Sequence, residues 1–305
     1  MPRPPVNPVL VLVLGIAGTS TGAILVRFAD APALVTATWR VGLATLIFLP
    51  IASWKAGGEL RGLTRRDLLL AALSGLFLAL HFATWIASLD HTPVANSVVL
   101  VNTIPIWVGL LSPFITRERI GRGVLIGIVF SVTGAAIIGA GDFASDRQAL
   151  YGDALAAAGA IFASFYILSG RNLRRRMSLL PYVTVCYGSA AVILIAMALA
   201  SGLAFTGYSA RTWWAFIGLA VISQCVGHTS YNWALKWFSA GIIAIALLGE
   251  PIGSTLLAYF ILDESLTWQK SLGCALILYG IYRAATGSPI RSEGAGTRGL
   301  RRRPG

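Results

Sequence analysis

Pro105…Glu118…Gly127…Gly134 recurs 146 positions later as Pro251…Glu264…Gly273…Gly280, with the same spacings of 13, 9 and 7 residues. Upstream of this stretch the offset becomes 147, so that His81 matches His228 and Ala87 matches Ala234. Several matches at a near-constant offset mark an internal repeat. The chain is therefore read as two homologous halves.

Composition says what the halves are made of. Of the 305 residues, 56% are apolar and only 12% charged, and the mean hydropathy is +0.74. A water-soluble domain carries about 25% charged residues. So few charges cannot cover an aqueous surface, and the bilayer has to be the solvent for most of the chain. At about 20 apolar residues per crossing, the length allows on the order of ten helices. The apolar runs place them at Pro8–Arg27, Ala33–Ser53, Asp67–Leu89, Pro93–Ile115, Ile120–Ala140, Tyr151–Ser169, Leu179–Ser201, Arg211–Leu235, Ala240–Leu262 and Trp268–Ala285. The first run has no processing site behind it and reads as a membrane span rather than a cleaved leader.

Five helices per half is an odd number, so the second copy must enter the membrane upside down. The expected fold is all-α and integral to the membrane. Residues 1–145 form one five-helix repeat, residues 146–286 its inverted copy, and residues 287–305 a basic, disordered tail. With the N-terminus inside, 19 of the 24 Lys and Arg residues fall on the inner side and four outside, with Arg40 inside a span. That asymmetry places both termini in the cytoplasm of a multi-pass plasma-membrane protein, the inner membrane of a bacterium.

The net charge of +12 does not signal nucleic-acid binding. The basic residues sit in short clusters between apolar runs, as topology signals do, and the run Arg301, Arg302, Arg303 suits anionic lipid. Cys186, Cys225 and Cys274 lie within apolar runs and show neither metal-ligand nor disulfide spacing. There is no phosphate-binding glycine loop, no set of nucleophile, base and orienting group, and no cofactor motif. These absences point away from an enzyme and, with no ATPase domain, toward secondary transport.

Leu247-Leu248-Gly249-Glu250-Pro251, followed by Leu256-Leu257-Ala258-Tyr259-Phe260-Ile261-Leu262-Asp263-Glu264, resembles the second-repeat signature of the drug/metabolite transporter superfamily. Its ten-helix EamA-type exporters look like the nearest branch. Trp39-Arg40 and Ala87…Thr92-Pro93-Val94-Ala95 resemble the same family. Where the family has Leu-Gly-Glu at the repeat junctions, this chain reads Thr116-Arg117-Glu118 and Leu262-Asp263-Glu264. The resemblance implies export of small organic substrates, among them amino acids, other metabolites and drugs. Amino acids are the leading expectation, and aromatic ones the narrower version of it. A multidrug or organic-cation exporter is the alternative within transport. A membrane-embedded enzyme or receptor is the alternative outside it.

Transporters of this symmetry hold substrate near the midplane between the halves. Glu250 lies about 16 Å along the ninth span at 1.5 Å per residue, close to that midplane. A carboxylate there costs about 2.5–3.5 kcal/mol unless it is protonated, paired or wet. It is expected to meet a substrate amino group or a coupling proton, with a purely structural partner as the alternative. Arg40 lies nearer the outer face and either snorkels outward or meets an anionic group. His81 and His228, the symmetry-related pair, are expected in opposite halves of the membrane, as substrate or gate contacts or as packing.

Trp107, Phe162, Tyr166 and Tyr231, with Trp85 near the outer mouth, are candidates for an apolar stacking wall. Asn102 and Gln224 add hydrogen-bonding capacity, and Thr19, Ser20 and Ser164 are lesser candidates. Pro105 and Pro251, near mid-span of the fourth and ninth helices, each free a backbone carbonyl and are candidate hinges. Trp54, Trp213, Trp214, Trp237 and Trp268 read as interfacial residues. Glu118 and Glu264 read as structural carboxylates at the N-termini of the fifth and tenth helices. Oligomeric state is not encoded in any of these features. In Ile104, the first half lacks the counterpart of Glu250.

Overall fold

The computed structural model describes residues 4–92, 97, 100–118, 120–139, 147–262 and 267–287. Pro93, Val94 and Ala95, the acidic pair Asp142 and Asp146, Asp263, Glu264 and the basic tail lie outside the described residues. Among the described residues every regular element is helical: α1 (Pro8–Ser20), α2 (Gly22–Phe28), α3 (Ala33–Arg61), α4 (Arg65–Ser88), α5 (Ile104–Ile115), α6 (Arg122–Gly139), α7 (Arg147–Arg174), α8 (Leu179–Ala200), α9 (Ala210–Gly218), a π-helical segment (Leu219–His228), α10 (Thr229–Ala234), α11 (Ala240–Leu247), α12 (Gly249–Leu262) and α13 (Trp268–Gly287).

Among the described residues, six stretches are long and apolar enough to cross a membrane: Pro8–Phe28, Ala33–Arg61, Arg65–Ser88, Arg147–Arg174, Leu179–Ala200 and Ala240–Ile261. Shorter apolar helices occupy Ile104–Ile115, Arg122–Gly134 and Ser271–Ala284. The predicted eighth span is helical throughout but changes from α to π and back. Large apolar side chains face outward, with Phe114 83%, Phe260 75% and Leu69 71% exposed. In water this surface would aggregate, whereas in a bilayer it meets its own kind.

Several helices run past their predicted ends. α3 continues from Ser53 to Arg61 through a distorted residue, Ala56, with φ −136° and ψ 22°. The apolar signal stops where Lys55 and Glu59 begin, but those residues are good helix formers and the helix continues into the polar zone. The predicted interfacial tryptophans divide: Trp54, Trp214 and Trp268 are exposed. Trp213 instead packs edge-on against Trp39, centroids 4.7 Å apart, and Trp237 lies half-buried beside Trp233.

Pro105 and Pro251 do not kink continuous helices. The helix before Pro105 is interrupted at Asn102 and Thr103, and the one before Pro251 at Leu248, the position equivalent to Asn102. Pro105 therefore sits in the first turn of α5 and Pro251 in the first turn of α12. A first-turn residue has no helical partner for its N–H, so proline loses nothing there. The free carbonyls were expected a turn earlier in an intact helix; the break is instead built into the backbone of both copies.

α4 packs along α7 and α8, while α1 packs along the π segment and α10. α6 and α13 meet at their glycines. A Cβ on Gly127 would come within 2.7 Å of the Gly280 carbonyl, and a Cβ on Gly134 would strike the Gly273 carbonyl. As α6 is followed from 127 to 134, its partners descend from 280 to 273. The main core gathers Leu78, Phe82, Leu168, Tyr182, Tyr187, Leu194, Leu235 and Ile243.

Candidate functional site

The breaks in the helices open onto one interior space. A narrow cavity of about 50 Å³, measured as space open to the centre of a water molecule, is lined from both halves of the chain. α1 supplies Thr19 and α3 Arg40. His81, Phe82 and Trp85 come from α4, and Asn102 from the break before α5. α7 gives Tyr166, the end of the π segment His228, α10 Tyr231 and Asn232, and α12 Glu250. The cavity is too small for an organic substrate and has room only for water-sized molecules in this conformation. A wider vestibule of about 850 Å³ lies at the Arg27, Asp30, Asp90 and Arg211 end. Ala23 lines the vestibule, and its neighbour Gly22 lies against Arg40 and Trp85 of the cavity.

Arg40 does not snorkel. It is 2% exposed, and its guanidinium carbon lies 4.1 Å over the centre of the Phe82 ring. Its Nε donates to Gln224 Oε1 at 3.0 Å. Its helix turns it inward, onto an aromatic face and an amide acceptor that replace part of its hydration. Glu250 faces the same cavity, half-buried, beside Thr19 and Tyr231 and within electrostatic reach of Arg40. The ion pairs among the described residues are Arg171–Glu118, Arg175–Glu118 and Arg176–Asp67. Arg40 and Glu250 thus share the cavity without closing on each other.

His81 and His228 come together in the structure. Their rings lie 6.5 Å apart in the same cavity. His81 sits on the unbroken helix α4 and His228 at the end of the π segment, and both rings turn into the cavity. His81 Nδ1 hydrogen-bonds the Gly159 carbonyl at 3.0 Å, and the ring lies parallel to Trp85 at 6.2 Å. His228 is surrounded by Phe82, Tyr166 and Tyr231, with centroids at 5.2, 6.2 and 6.2 Å. Trp85, expected at the outer mouth, is 5% exposed and lines the cavity.

Two expected wall residues lie elsewhere. Trp107 is half-buried and donates Nε1 to Thr103 Oγ1 at 3.2 Å, which ties the turn before α5 to the helix itself. Phe162 is half-buried on α7 and does not reach the cavity lining. Both follow helical faces that hydropathy cannot orient when every face is apolar. Gln224 is likewise not in the lining but stands behind Arg40. Phe82 and Asn232 were not expected, although Asn232 is legible as an amide in an apolar run. Asn232 donates to Tyr166 Oη at 2.7 Å and Tyr187 Oη at 3.0 Å, while its Oδ1 has no protein partner. Tyr231 Oη and Thr19 Oγ1 share a hydrogen bond at 3.0 Å.

The far end from the vestibule is tied shut by polar contacts. Glu118 accepts from Arg171 Nε at 2.7 Å, from Arg175 Nη2 at 2.9 Å and from the backbone N of Ala240 at 3.2 Å. It thereby serves the N-terminus of α11. Arg117, at φ 57°, turns the chain in the left-handed region and re-aims Glu118. Arg171 also donates to the Leu235 carbonyl at 2.6 Å, and Asn172 to the Ile115 carbonyl at 2.8 Å.

A model of the EamA-like transporter family matches the chain twice, over residues 7–140 and 150–286. The uncharacterized transporter YetK of Bacillus subtilis is 26% identical over 228 residues, 72% of this chain and 68% of that protein. An uncharacterized transporter of Archaeoglobus fulgidus is 27% identical over 188 residues, 60% of this chain and 65% of the relative. The chain thus spans about two thirds of the length of these two. Another from the same organism is 25% identical over 273 residues, 88% of this chain and 93% of its own. A protein of known crystal structure, 18% identical, shares the fold with a TM-score of 0.77 over 92% of this chain and 96% of the other. With a family model matched in each half and apolar helices arranged around a shared cavity, the chain belongs to the EamA-like transporter family and is a multi-pass membrane transporter.

Proposed function

We propose that the protein exports amino acids, aromatic ones foremost, by alternating access of a central cavity to the two sides of the plasma membrane. The observation that carries this reading is the pair Arg40 and Glu250. A buried cation and a carboxylate face one cavity without an ion pair between them, over a wall of His81, Phe82, Trp85, Tyr166, His228 and Tyr231. An α-amino acid is a zwitterion with an apolar side chain attached. Its carboxylate suits the guanidinium, its ammonium suits Glu250, and its side chain suits the rings. An organic cation would satisfy Glu250 but would leave Arg40 unmatched in an apolar interior, which is costly.

Ten spans in two inverted halves provide the frame for this exchange. The glycine contacts of α6 and α13, which run in opposite order along the two copies, support that arrangement. The Lys and Arg bias supports cytoplasmic termini. On that orientation the Glu118 network closes the cytoplasmic side and the vestibule opens outward. The breaks before Pro105 and Pro251 are the proposed hinges.

Counterflow in proteoliposomes of the purified protein tests the reading. Radiolabelled L-phenylalanine, L-tyrosine and L-tryptophan should exchange, with aliphatic amino acids exchanging more slowly. The matching amines, which lack the carboxylate, should exchange poorly. Amines exchanging as well as amino acids would favour an organic-cation exporter. Chemical conversion in unsealed membranes would favour an enzyme, and binding without flux a receptor.

A further inference from the structure

We infer that Gln224 is the positioning residue for Arg40, and that it keeps the guanidinium free to take a substrate carboxylate. The inference rests on the proposed role of Arg40 as the carboxylate ligand. Arg40 Nε is a donor only, so the atom 3.0 Å away must be the amide oxygen of Gln224. That fixes the amide orientation by chemistry. Oε1 is committed to Arg40, and the opposite group, Nε2, is a buried donor without a protein partner. Gln224 is fully buried.

The guanidinium is thereby held on two sides, by the Phe82 ring on its face and by Gln224 at its Nε edge. What remains is the pair of terminal nitrogens, the edge that forms two parallel bonds to a carboxylate. The partner at Nε is neutral. A carboxylate in place of the amide would hold Arg40 just as well but would neutralise it, and a second carboxylate would then gain little. The amide supplies position without cancelling charge.

The π-helical segment carries this residue. The equivalent stretch of the first half, 72–81, is ordinary α-helix, and the counterpart of Gln224 is Phe77, stacked on Phe165 with centroids 4.9 Å apart. π-helical geometry is rare and, where it interrupts an α-helix, frequently marks a functional site; here it runs for ten residues. The segment is clamped as well. A Cβ on Gly18 would come within 2.9 Å of Gly227 N and of the Ile222 carbonyl, so α1 lies directly on its backbone. Thr21 Oγ1 and Ser223 Oγ share a hydrogen bond at 3.0 Å, beside Gln224. Gln224 therefore sits on a braced turn.

The test uses full-length protein in proteoliposomes, with L-phenylalanine as substrate and phenethylamine, the same molecule without its carboxylate, as competitor. Gln224→Glu keeps shape and hydrogen bond and adds the cancelling charge. Gln224→Met keeps length and removes the bond. Both should raise the KM for phenylalanine about tenfold or more, about 1.4 kcal/mol, while Vmax stays within about threefold of wild type. In Gln224→Glu, phenethylamine should compete better than it does against wild type, a change that general damage to the fold cannot produce.

Unchanged KM in both variants overturns the inference. So does a loss of Vmax at constant KM, or equal weakening of phenylalanine and phenethylamine. If Arg40→Lys impairs phenylalanine exchange while both Gln224 variants behave as wild type, the cavity reading stands and the role of Gln224 falls. If wild-type protein exchanges no amino acid, both fall together.

Discussion

Ser131 donates its hydroxyl proton to the carbonyl of Ile277 at 3.3 Å, and the two positions are separated by 146 residues, the offset of the repeat. Contact between equivalent positions is what a two-fold axis requires of the residues lying on it. Around this point Gly127 meets Gly280 and Gly134 meets Gly273, so each contact has its mirror in the other copy. The spacing of seven, two helical turns, keeps both glycines on one face. The absent side chains let the two backbones touch, which in lipid supplies the packing that binds helices together.

Gly280→Val should break this crossing. Its Cβ would strike Ser131 Oγ and stand 2.7 Å from the Gly127 carbonyl, and backbone cannot give way as a side chain can. The expected cost is about 1–3 kcal/mol or more, with a lower thermal midpoint and reduced yield of monodisperse protein in detergent. Adding Ser131→Gly should restore little, since the Gly127 carbonyl remains. Wild-type stability in the single variant would show that the helices are free to separate there.

The same comparison shows what a linear sequence holds and what it lacks. The glycines that pack, the prolines that follow the breaks and the asymmetric Glu250 are all positions in a register, and register is legible. The direction of Arg40 is not, because a long cation seven residues into a span reaches solvent or interior equally well until its neighbours are known. Phe82 and Gln224 decide it, and Gln224 lies 184 positions away. Trp107 and Phe162 fail for a related reason: where every face of a helix is apolar, periodicity no longer says which one turns inward. The π segment leaves no mark in composition at all.

Arg40→Lys and Glu250→Gln test the two ends of the proposed zwitterion site separately. Lysine keeps the charge of Arg40 but cannot present the fork or stack on Phe82. Hydrogen bonds to charged groups contribute about 1.5–3 kcal/mol, so KM for an amino acid should rise roughly 10- to 100-fold. Glu250→Gln removes the partner of the ammonium group and should raise KM by a similar factor. It should also abolish discrimination between phenylalanine and its deaminated analogue, 3-phenylpropionate. Competition assays against phenylalanine exchange measure both, and unchanged ranking in either variant would remove that residue from the site.

Arg117 adopts φ 57°, a left-handed conformation that costs a side-chain-bearing residue roughly 1–2 kcal/mol. Glycine adopts it freely, at an entropic penalty in the unfolded chain of about 0.5–1 kcal/mol. Arg117→Gly should therefore be neutral to stabilising by about 0.5–1 kcal/mol, seen as a small rise in the thermal midpoint. A fall would mean that the Arg117 side chain does more for the fold than its backbone strain takes away.

Glu118 is the test of which side is closed. It joins Arg171 and Arg175 to the N-terminus of α11 and so bridges the chain segments on either side of the cavity floor. Partly shielded ion pairs contribute about 0–1 kcal/mol each, and a carboxylate at a helix N-terminus about 1 kcal/mol. Glu118→Ala should thus shift the closed–open balance by about 1–2 kcal/mol, a factor of roughly 5–30. Leu235 lies at this end of the cavity, is 1% exposed, and gives its carbonyl to Arg171. With Cys186, Cys225 and Cys274 replaced by alanine, a single Leu235→Cys should react slowly with a thiol reagent applied from the Glu118 side, the cytoplasmic one in the proposed orientation. Adding Glu118→Ala should raise the labelling rate by about that factor, while labelling of a vestibule cysteine at Ala31 should fall or stay constant. Equal labelling of Leu235→Cys with and without Glu118 would mean that this network braces the fold and takes no part in gating.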